Sequence, residues 1–599
     1  MKNSRVTNSY CRMSLIRLFA FVAFFVHVSP ASPQQKNVKE DLQVLPGEVG
    51  RPGGRLVVSL RGEPKTVNPL IAADTRSREV IGVMQADLVH INRATQLTES
   101  ALAKSWKISP DGLTYTLVLR QGLRFSDGQP LDADDVIFTF RVYLDENVHA
   151  PQRDLLIVGG KPIVVRKVDA HTIVFQLAKT YGVGERLFDG LAILPKHLLE
   201  KPYQEGKLGQ FGALAAARDQ WAGLGPFRMK EYVAGQRLVL ERNPYYWKSD
   251  AKGNRLPYLE ELVFLFVPNA DAQVLKFQSG ETDMISQLSA ENFSVLSRQQ
   301  RGYTMTDGGP GLEYNFLFFN LNDAGDKSSP EMQRKQKWFR DVKFRLAVSA
   351  AVDREAIVRL VYQGRGSGLW GLVAPGNRRW GNEKLARAPR SLERARMLLQ
   401  EAGFSWGNGR NGESSLLDSD GKSVEFSILT SSSNADRAKM TALVQDDLKQ
   451  LGMRVQVVPL EFRSLLDRVT QSKEYDACVM GIASLDADPN SDINVWLSSG
   501  GTHLWNPSQA HPATPWEAEI DRLFDSQMSA RTFVERKKIY DRMQEVMAEQ
   551  QPMIFLASAN ILAGAKNSVG NFHPAVLEPY ILWNVEQLYL KNGTENATR

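Results

Sequence analysis

The chain has 599 residues, of which 43% are hydrophobic and 23% charged, a composition typical of globular proteins. At roughly 150 residues per domain, this length predicts about three to four structural units. The two cysteines exclude a disulfide scaffold and a cysteine-rich metal or iron–sulfur module. The formal charge of +6 comes largely from the first 17 residues, so the remainder has no field that would favour nucleic acid as the main partner.

The N-terminus has the layout of a secretory signal. Four cations precede the uncharged run Leu18–Val28, and the small residues Ser29-Pro30-Ala31 follow it. At ~1.5 Å per residue this run is too short to cross about 30 Å of hydrocarbon. We therefore expect a cleaved signal peptide at 1–31, whose removal leaves a formal charge of +2, and export to the periplasm. Because Cys11 precedes the apolar run, no cysteine is placed for lipid attachment, and we expect a protein that is not lipidated.

The segment 32–52 is polar and rich in proline and glycine, which predicts a flexible leader. Predicted elements then follow in chain order: strands at 55–60, 113–120 and 171–177, and a helix that begins within 132–146. Asp132, Asp134 and Asp135 could form a metal cluster, but acids at these positions are typical of a helix N-cap and first turn, which we favour.

The second half of the sequence changes character near residue 313. EYNFLFFNLN (313–322) predicts a strand, and a long helical stretch over 338–364 follows. Residues 425–484 alternate as strand, helix, strand, helix, strand, which predicts parallel strands with right-handed crossovers. Sheets of this kind bind ligands outside the carboxyl ends of their strands. This rule points to residues 431–434, with Ser432 as a candidate ligand contact, and to residues 484–489.

Catalytic and metal-binding motifs are absent from the sequence. There is no G-x-S-x-G elbow, H-E-x-x-H motif, Walker loop or C-x-x-C pair, so we expect a protein that is not an enzyme and has no catalytic residues, metal ligands or cofactor. His503 and His511 could bind a transition metal, an alternative that lacks a third ligand. We expect His197 to be a packed structural histidine and Cys478 a buried, inert thiol.

The chain resembles the family 5 extracellular solute-binding proteins, the receptors of peptide, dipeptide and nickel ABC importers. The resemblance covers roughly residues 53–590 and is strongest in ALAKSWKISPDGLTYTLVLRQGLRFSDGQPLDADDVIFTF (101–140). Further blocks match in the same order: GEPKTVNPL (62–70), ILPKH (193–197), GPFRMKEYVAGQRLVLERNPYYW (225–247), FRLAVSAAVDREAIV (344–358) and LLQEAGF (398–404).

This resemblance implies an α/β, two-lobed, periplasmic-binding-protein-like fold of type II. Lobe I would span 53–312, with an extra subdomain inserted at about 77–218. Lobe II would span 313–556, and residues 557–599 would return to lobe I. Two chain crossings between lobes make a hinge, about which the lobes close on a ligand.

In peptide-binding members of this family, an aspartate in a D-Y-x-D-P-like context pairs with the ligand's α-ammonium. The matching stretch here is Leu485-Asp486-Ala487-Asp488-Pro489, in which leucine stands at the usual aspartate position. The resemblance therefore implies Asp486, shifted by one residue, and Asp488 as candidate ligand contacts.

Other candidate ligand contacts lie at the first crossing and in the loops of lobe II. Tyr314 and Asn315 could reach the ligand from the hinge. Aromatic walls could come from four tryptophans, of which we expect two to line the cleft: Trp370, Trp380, Trp496 and Trp505. Arg378 and Arg379 could pair with a ligand carboxylate.

The sequence thus predicts a periplasmic receptor, expected to be monomeric, that captures a peptide-like solute between two lobes and delivers it to an ABC transporter permease in the inner membrane. One alternative keeps the receptor role with a metal complex, sugar or opine as ligand, motivated by Leu485 and the tryptophans. Less favoured alternatives are a periplasmic chaperone or sensor and an exported hydrolase, which would need a nucleophile with a base in reach.

Overall fold

A computed structural model describes residues 40–299, 302–322, 329–408, 414–484 and 486–591. The predicted signal peptide and the first part of the predicted leader, residues 32–39, lie outside the described residues. Within the described ranges, no helix is both long enough and apolar enough to cross a membrane.

The elements up to residue 310 include a short antiparallel sheet and most of one half of the main sheet. The helices are α1 (Thr75–Met84), α2 (Ala133–Leu144), α3 (Lys196–Gln204), α4 (Ala217–Gln220), α5 (Ala270–Ser279) and α6 (Ala290–Gln299). The strands are β1 (Gln43–Val44), β2 (Arg55–Leu60), β3 (Val89–Ile91), β4 (Thr98–Ser100), β5 (Ala103–Ile108), β6 (Thr114–Leu119), β7 (Ile157–Val158), β8 (Lys161–Pro162), β9 (Val164–Lys167), β10 (Thr172–Gln176), β11 (Phe227–Val233), β12 (Arg237–Arg242), β13 (Lys248–Ser249), β14 (Glu261–Phe266), β15 (Met284–Ile285) and β16 (Tyr303–Pro310).

The elements described after residue 310 include the longest helices and the rest of the main sheet. The helices are α7 (Pro330–Arg340), α8 (Val342–Ala351), α9 (Arg354–Leu360), α10 (Leu392–Glu401), α11 (Ala435–Lys449), α12 (Phe462–Asp467), α13 (Ile493–Trp496), α14 (Pro515–Ser529) and α15 (Phe533–Gln550). The strands are β17 (Glu313–Phe319), β18 (Gly366–Gly368), β19 (Ser405–Asn408), β20 (Ser414–Leu417), β21 (Glu425–Ser431), β22 (Arg454–Leu460), β23 (Ala477–Ala483), β24 (Met553–Lys566), β25 (Val569–Gly570) and β26 (Tyr589–Leu590).

One 12-stranded sheet runs through the molecule, with the main strand order β11-β12-β14-β2-β15-β24-β17-β23-β21-β22. The long strand β24 joins its two halves. The first part of β24 pairs with β17, and its last residues pair with β15 and β16. Strands β21 and β22 are parallel, as are β21 and β23, which confirms the predicted alternation over residues 425–484.

Two large hydrophobic cores lie on either side of this join. The first gathers buried side chains from residues 56–264 together with 284 and 563–590. The second gathers buried side chains from 314–557. We call the parts of the chain that build these cores lobe I and lobe II. The boundaries expected at residues 313 and 557 stay a prediction.

A separate four-stranded sheet, in the order β5-β6-β10-β9, lies within the segment predicted as an inserted subdomain. Helix α2 packs beside it and begins as predicted. Asp132 accepts from the Asp134 N–H, and the Asp135 carboxylate accepts from the Asp132 N–H, so the two acids form a capping box. The Asp135 carboxylate also accepts from the backbone N–H of Lys196. These contacts account for the acids as helix caps.

Two sequence-based expectations differ from the structure. The described part of the predicted leader is docked on lobe I: β1 pairs in parallel with β13, and Asp41 forms a 2.8 Å ion pair with Lys104. Backbone pairing therefore orders a segment whose composition predicted flexibility. The long helix predicted over 338–364 is broken, because Asp341 and Asp353 each cap the start of a new helix.

Candidate functional site

The loop after β23 lies where parallel sheets bind ligands, and it contacts lobe I through Asp486. Arg186, in a short 3-10 helix (Gly184–Phe188) of lobe I, donates from Nη1 to both carboxylate oxygens of Asp486, at 2.6 Å to Oδ1. The Arg186 and Asp486 side chains are only 11% and 17% exposed. The candidate ligand acid predicted from the sequence is therefore the partner of an arginine from the opposite lobe, and ligand contact by Asp486 stays a prediction.

Asp488 lies two residues further on and faces the interior of lobe II. Its carboxylate accepts two 2.7 Å hydrogen bonds from the guanidinium of Arg536 on α15, and both side chains are almost fully buried. Gln527 accepts from Arg536 as well, and Trp380 lies under the guanidinium at 4.9 Å. This arrangement gives both oxygens of Asp488 a partner within the chain.

Asp492 is the third acid of this loop region. Its carboxylate accepts a 2.9 Å hydrogen bond from Ser484. Burial, with a smaller contribution from nearby Asp486, raises the pKa of Asp492 to about 6. Arg186 and Arg536 thus offset two of the three acids of this loop, and the raised pKa of Asp492 favours the neutral form of the third.

The two candidates at the first crossing, Tyr314 and Asn315, are consecutive residues of β17. Asn315 is buried; its amide donates to Tyr362 Oη at 3.1 Å, and its Oδ1 accepts from Arg437 Nε at 3.0 Å. Arg437 also donates to Glu313 at 2.7 Å, so this guanidinium links α11 to the crossing. Burial raises the pKa of Tyr314 well above 10, and its hydroxyl has no hydrogen-bond partner among the described residues.

The four candidate tryptophans are placed differently from one another. Trp496 and Trp505 are at most 1% exposed. Trp505 donates to Glu517 at 3.2 Å, and Trp380 packs in lobe II against Tyr540. Trp370 is half-buried and donates from Nε1 to the Ala388 carbonyl. Of the four, Trp370 is the most exposed to solvent.

Trp370 lines a cavity of about 500 Å³ between α9 and the loop beside β18. The cavity is also lined by Arg354, Arg359 and Gly368. Arg354 is not available to a ligand there, because its guanidinium donates to the carbonyls of Leu369 and Phe555. The cavity is lined by lobe II residues alone, so we do not place the inter-lobe ligand in it.

Three further candidates lie in loops. Ser432 is exposed, and its backbone N–H bonds to the Leu460 carbonyl. The Arg379 guanidinium lies over the ring of Phe533 at 4.5 Å. Arg378 is exposed. Ligand contact by Ser432 and by the two arginines stays a prediction.

His503 and His197 each have a side-chain partner within the chain. His503 is fully buried, with ring nitrogens 3.0 Å from the Val495 carbonyl and 3.2 Å from Glu517, while His511 is exposed, so the two do not form a common metal site. His197 lies 2.7 Å from Asp127 and edge-on to a phenylalanine, but it is exposed near the start of α3, so the expected packed position is wrong.

One group of side chains among the described residues has metal-ligand types close together: Asp87, His90 and Asp189. The imidazole Nδ1 lies 3.2 Å from Asp87 and 3.6 Å from Asp189. Backbone N–H groups and Arg93 also contact the two carboxylates. Hydrogen bonds and ion pairs account for this group without a metal ion.

Sequence reasoning missed the two arginines that organise the region, Arg186 and Arg437. Arg186 lies 300 residues from Asp486 in the chain. Arg437 belongs to the first turn of a helix whose N-cap, Asn434, was visible in the sequence. The helix start was therefore detectable, but the pairing of either arginine with an acid far away in the chain was not.

The family model described as "Bacterial extracellular solute-binding proteins, family 5 Middle" matches residues 98–503, more than half of the chain. The oligopeptide-binding protein AppA of Bacillus subtilis strain 168 is 28% identical over 556 residues, which cover 90% of this chain and 93% of AppA.

Several solved structures have a similar fold over nearly the whole length of this chain. The structure of Bacillus subtilis AppA in complex with a nonapeptide has a TM-score of 0.68 at 26% identity and covers 91% of this chain and all of that one. NikZ from Campylobacter jejuni, in complex with Ni(L-His), has a TM-score of 0.69 at 20% identity and covers 89% of this chain and 99% of NikZ. MelB from Agrobacterium fabrum C58, in complex with stachyose, has a TM-score of 0.69 at 21% identity and covers 92% of this chain and 87% of MelB.

The α/β periplasmic-binding-protein fold expected from the sequence is therefore confirmed, as is the resemblance to family 5. This family consists of binding proteins rather than enzymes, and its members serve ABC importers. The chain belongs to the bacterial extracellular solute-binding proteins of family 5.

Proposed function

We propose that the protein is a periplasmic receptor that captures a peptide-like solute between lobes I and II and delivers it to an ABC transporter permease in the inner membrane. The observation that carries this proposal is the near full-length likeness to AppA, whose solved structure holds a nonapeptide. The predicted signal peptide, with no lipid-attachment cysteine after it, supports delivery to the periplasm without a lipid anchor.

The architecture supports a closing mechanism. Strands β17 and β24 both pass between the lobes, so a small rotation about them would open or close the cleft. A ligand shifts this equilibrium only if it binds the closed form more tightly, which requires contacts to both lobes. The loop after β23 is suited to supply such contacts, because it already reaches a lobe I side chain.

A second candidate keeps the receptor role but takes a non-peptide solute, such as a sugar, an opine or a metal complex. The observation that favours it is the pairing of Asp486 with Arg186, since a paired carboxylate is less available to a peptide ammonium. The comparison proteins NikZ and MelB hold a nickel complex and stachyose, respectively.

Mass spectrometry of co-purified cargo tests the proposal. The chain from Ser32 would be exported in a bacterial host, purified without denaturant and then unfolded to release what it carries. A mixture of short peptides would support the peptide receptor. A single non-peptide species would replace it with the second candidate. Broad, weak binding to unfolded proteins, with no saturable small ligand, would instead favour a chaperone.

A further inference from the structure

The contact between Arg186 and Asp486 is part of a larger set of polar contacts between the lobes. On the lobe I side, Arg186 Nη2 donates to the Gln96 carbonyl at 2.9 Å while Nη1 donates to Asp486. The Gln96 side-chain amide in turn donates to the Gly376 carbonyl of lobe II at 3.2 Å. One nitrogen of the Arg186 guanidinium is therefore hydrogen-bonded within lobe I while the other contacts Asp486 of lobe II.

On the lobe II side, a further hydrogen bond joins the segment at Gly376 to the loop that carries Asp486. Asn377, next to Gly376, donates from its side-chain amide to the Ala487 carbonyl at 2.7 Å, and Ala487 follows Asp486. The contacts thus form a closed ring, which we call the inter-lobe clasp: Gln96, Arg186, Asp486, Ala487, Asn377 and Gly376. In such a ring each member orients its neighbours, so the guanidinium is fixed on the carboxylate.

Charge at this end of the cleft is balanced by the protein itself. Both Asp486 oxygens accept from Arg186, and both Asp488 oxygens accept from Arg536. A ligand cation placed here would have to displace a guanidinium that is mostly buried and hydrogen-bonded. Removing one partner of such a pair leaves the other charge without compensation, which is costly.

We propose that Arg186 is a specificity-determining residue that serves as the internal counter-ion of Asp486, so that the ligand group held at the inter-lobe clasp carries no positive charge. This inference rests on the proposed receptor function and narrows its ligand class. A peptide-like solute bound there has a blocked or cyclic amino end, or otherwise lacks an ammonium group at that end.

The raised pKa of Asp492 supports the same conclusion, since this acid is partly neutral near pH 6. Arg186 also faces Asp189 in its own lobe, which in turn contacts Arg93 at 3.5 Å. Arg93 pairs with Asp189 of its own lobe and has no ion pair with lobe II among the described residues, and this makes it a matched control.

The test is a competition between two forms of one peptide library. A randomised pentapeptide pool is prepared with free amino ends and, separately, with acetylated amino ends. Equal amounts are mixed with the purified receptor, and the ratio of bound forms is read by mass spectrometry. We expect the wild-type protein to retain the acetylated form at least 10-fold over the free form.

Three variants identify the cause of this preference. Arg186→Met frees the Asp486 carboxylate and should shift the ratio at least 10-fold toward free amino ends, whereas the control Arg93→Met should leave the ratio unchanged. Asp486→Asn removes the negative charge of the pair and leaves no free carboxylate, so it should not gain amine binding. A loss of folding, monitored by thermal unfolding, would affect both clasp variants alike and would not produce a gain of amine binding in Arg186→Met alone.

The proposal is overturned if the wild type prefers free amino ends, or binds both forms equally, or if Arg186→Met leaves the ratio unchanged. Retention of neither pool by the wild type would refute the peptide function separately. In that case, the cargo released from the purified receptor is treated with an amine-reactive tag. A cargo with a primary amine overturns the role of Arg186, and an amine-free cargo supports it.

Discussion

Replacing Asp488 with asparagine should destabilise lobe II strongly. The wild-type carboxylate accepts two 2.7 Å bonds from Arg536, and both side chains are at most 3% exposed. Asparagine retains one acceptor oxygen but turns an NH₂ group toward a guanidinium donor and removes the compensating charge. Breaking one partner of a buried pair costs about 3–5 kcal/mol, and we expect a loss of this size in the free energy of unfolding.

Urea unfolding followed by tryptophan fluorescence would measure this loss, because Trp380 lies 4.9 Å from the Arg536 guanidinium. The matched control is Glu519→Gln, the same acid-to-amide change at the exposed pair with Arg542, whose side chains are 33% and 41% exposed. That variant should cost less than about 1 kcal/mol. Equal losses in the two variants would refute the reasoning, and unchanged stability with lost ligand binding would make Asp488 a ligand contact.

Three further experiments test other parts of the structure. Burial, reinforced by Glu578, raises the pKa of half-buried Glu79 to about 7, so the folded state holds a proton that the unfolded chain releases, and stability falls as pH rises from about 4.5 to 7. Glu79→Gln should therefore match wild type at pH 4.5 and exceed it by about 1–3 kcal/mol at pH 8 in urea unfolding; a pH-independent difference would contradict this. Asp132→Ala removes the capping box of α2 and should cost about 1 kcal/mol by the same assay, and no loss would argue against the cap. Burial raises the pKa of the Cys478 thiol, so it should react with a thiol-specific chromogenic reagent in urea but not in buffer, and rapid reaction in buffer would disprove its burial.

Secondary structure was predictable where periodicity and capping agree. The strand predicted at 55–60 is β2 (Arg55–Leu60), and the alternation over 425–484 forms parallel strands. The helix predicted over 338–364 failed because apolar spacing continues across two aspartates. Asp341 ends one helix and caps the next, so the stop signal was present as a single capping residue without glycine or proline.

The charged contacts of the site could not be read from the sequence, because their partners come from distant segments. A run of bases on a helix, such as that at 335–345, is usually a solvated face. Arg345, however, is 2% exposed and donates to the carbonyls of Phe339 and Gln550. Lys335 pairs with Asp476 at 3.1 Å. Helical spacing says which residues share a face, but it does not say which backbone or acid that face will meet.

Two acids of the loop after β23, two residues apart, make different contacts. Asp488 binds Arg536 within lobe II, so its contact is made whenever lobe II is folded. Asp486 binds Arg186 of lobe I, so its contact exists only when the lobes approach one another. Breaking the first should therefore change the unfolding of lobe II, whereas breaking the second should change the inter-lobe equilibrium and ligand preference. Because the two carboxylates share a short loop that Asp488 holds in place, the effects of the two substitutions should not be additive.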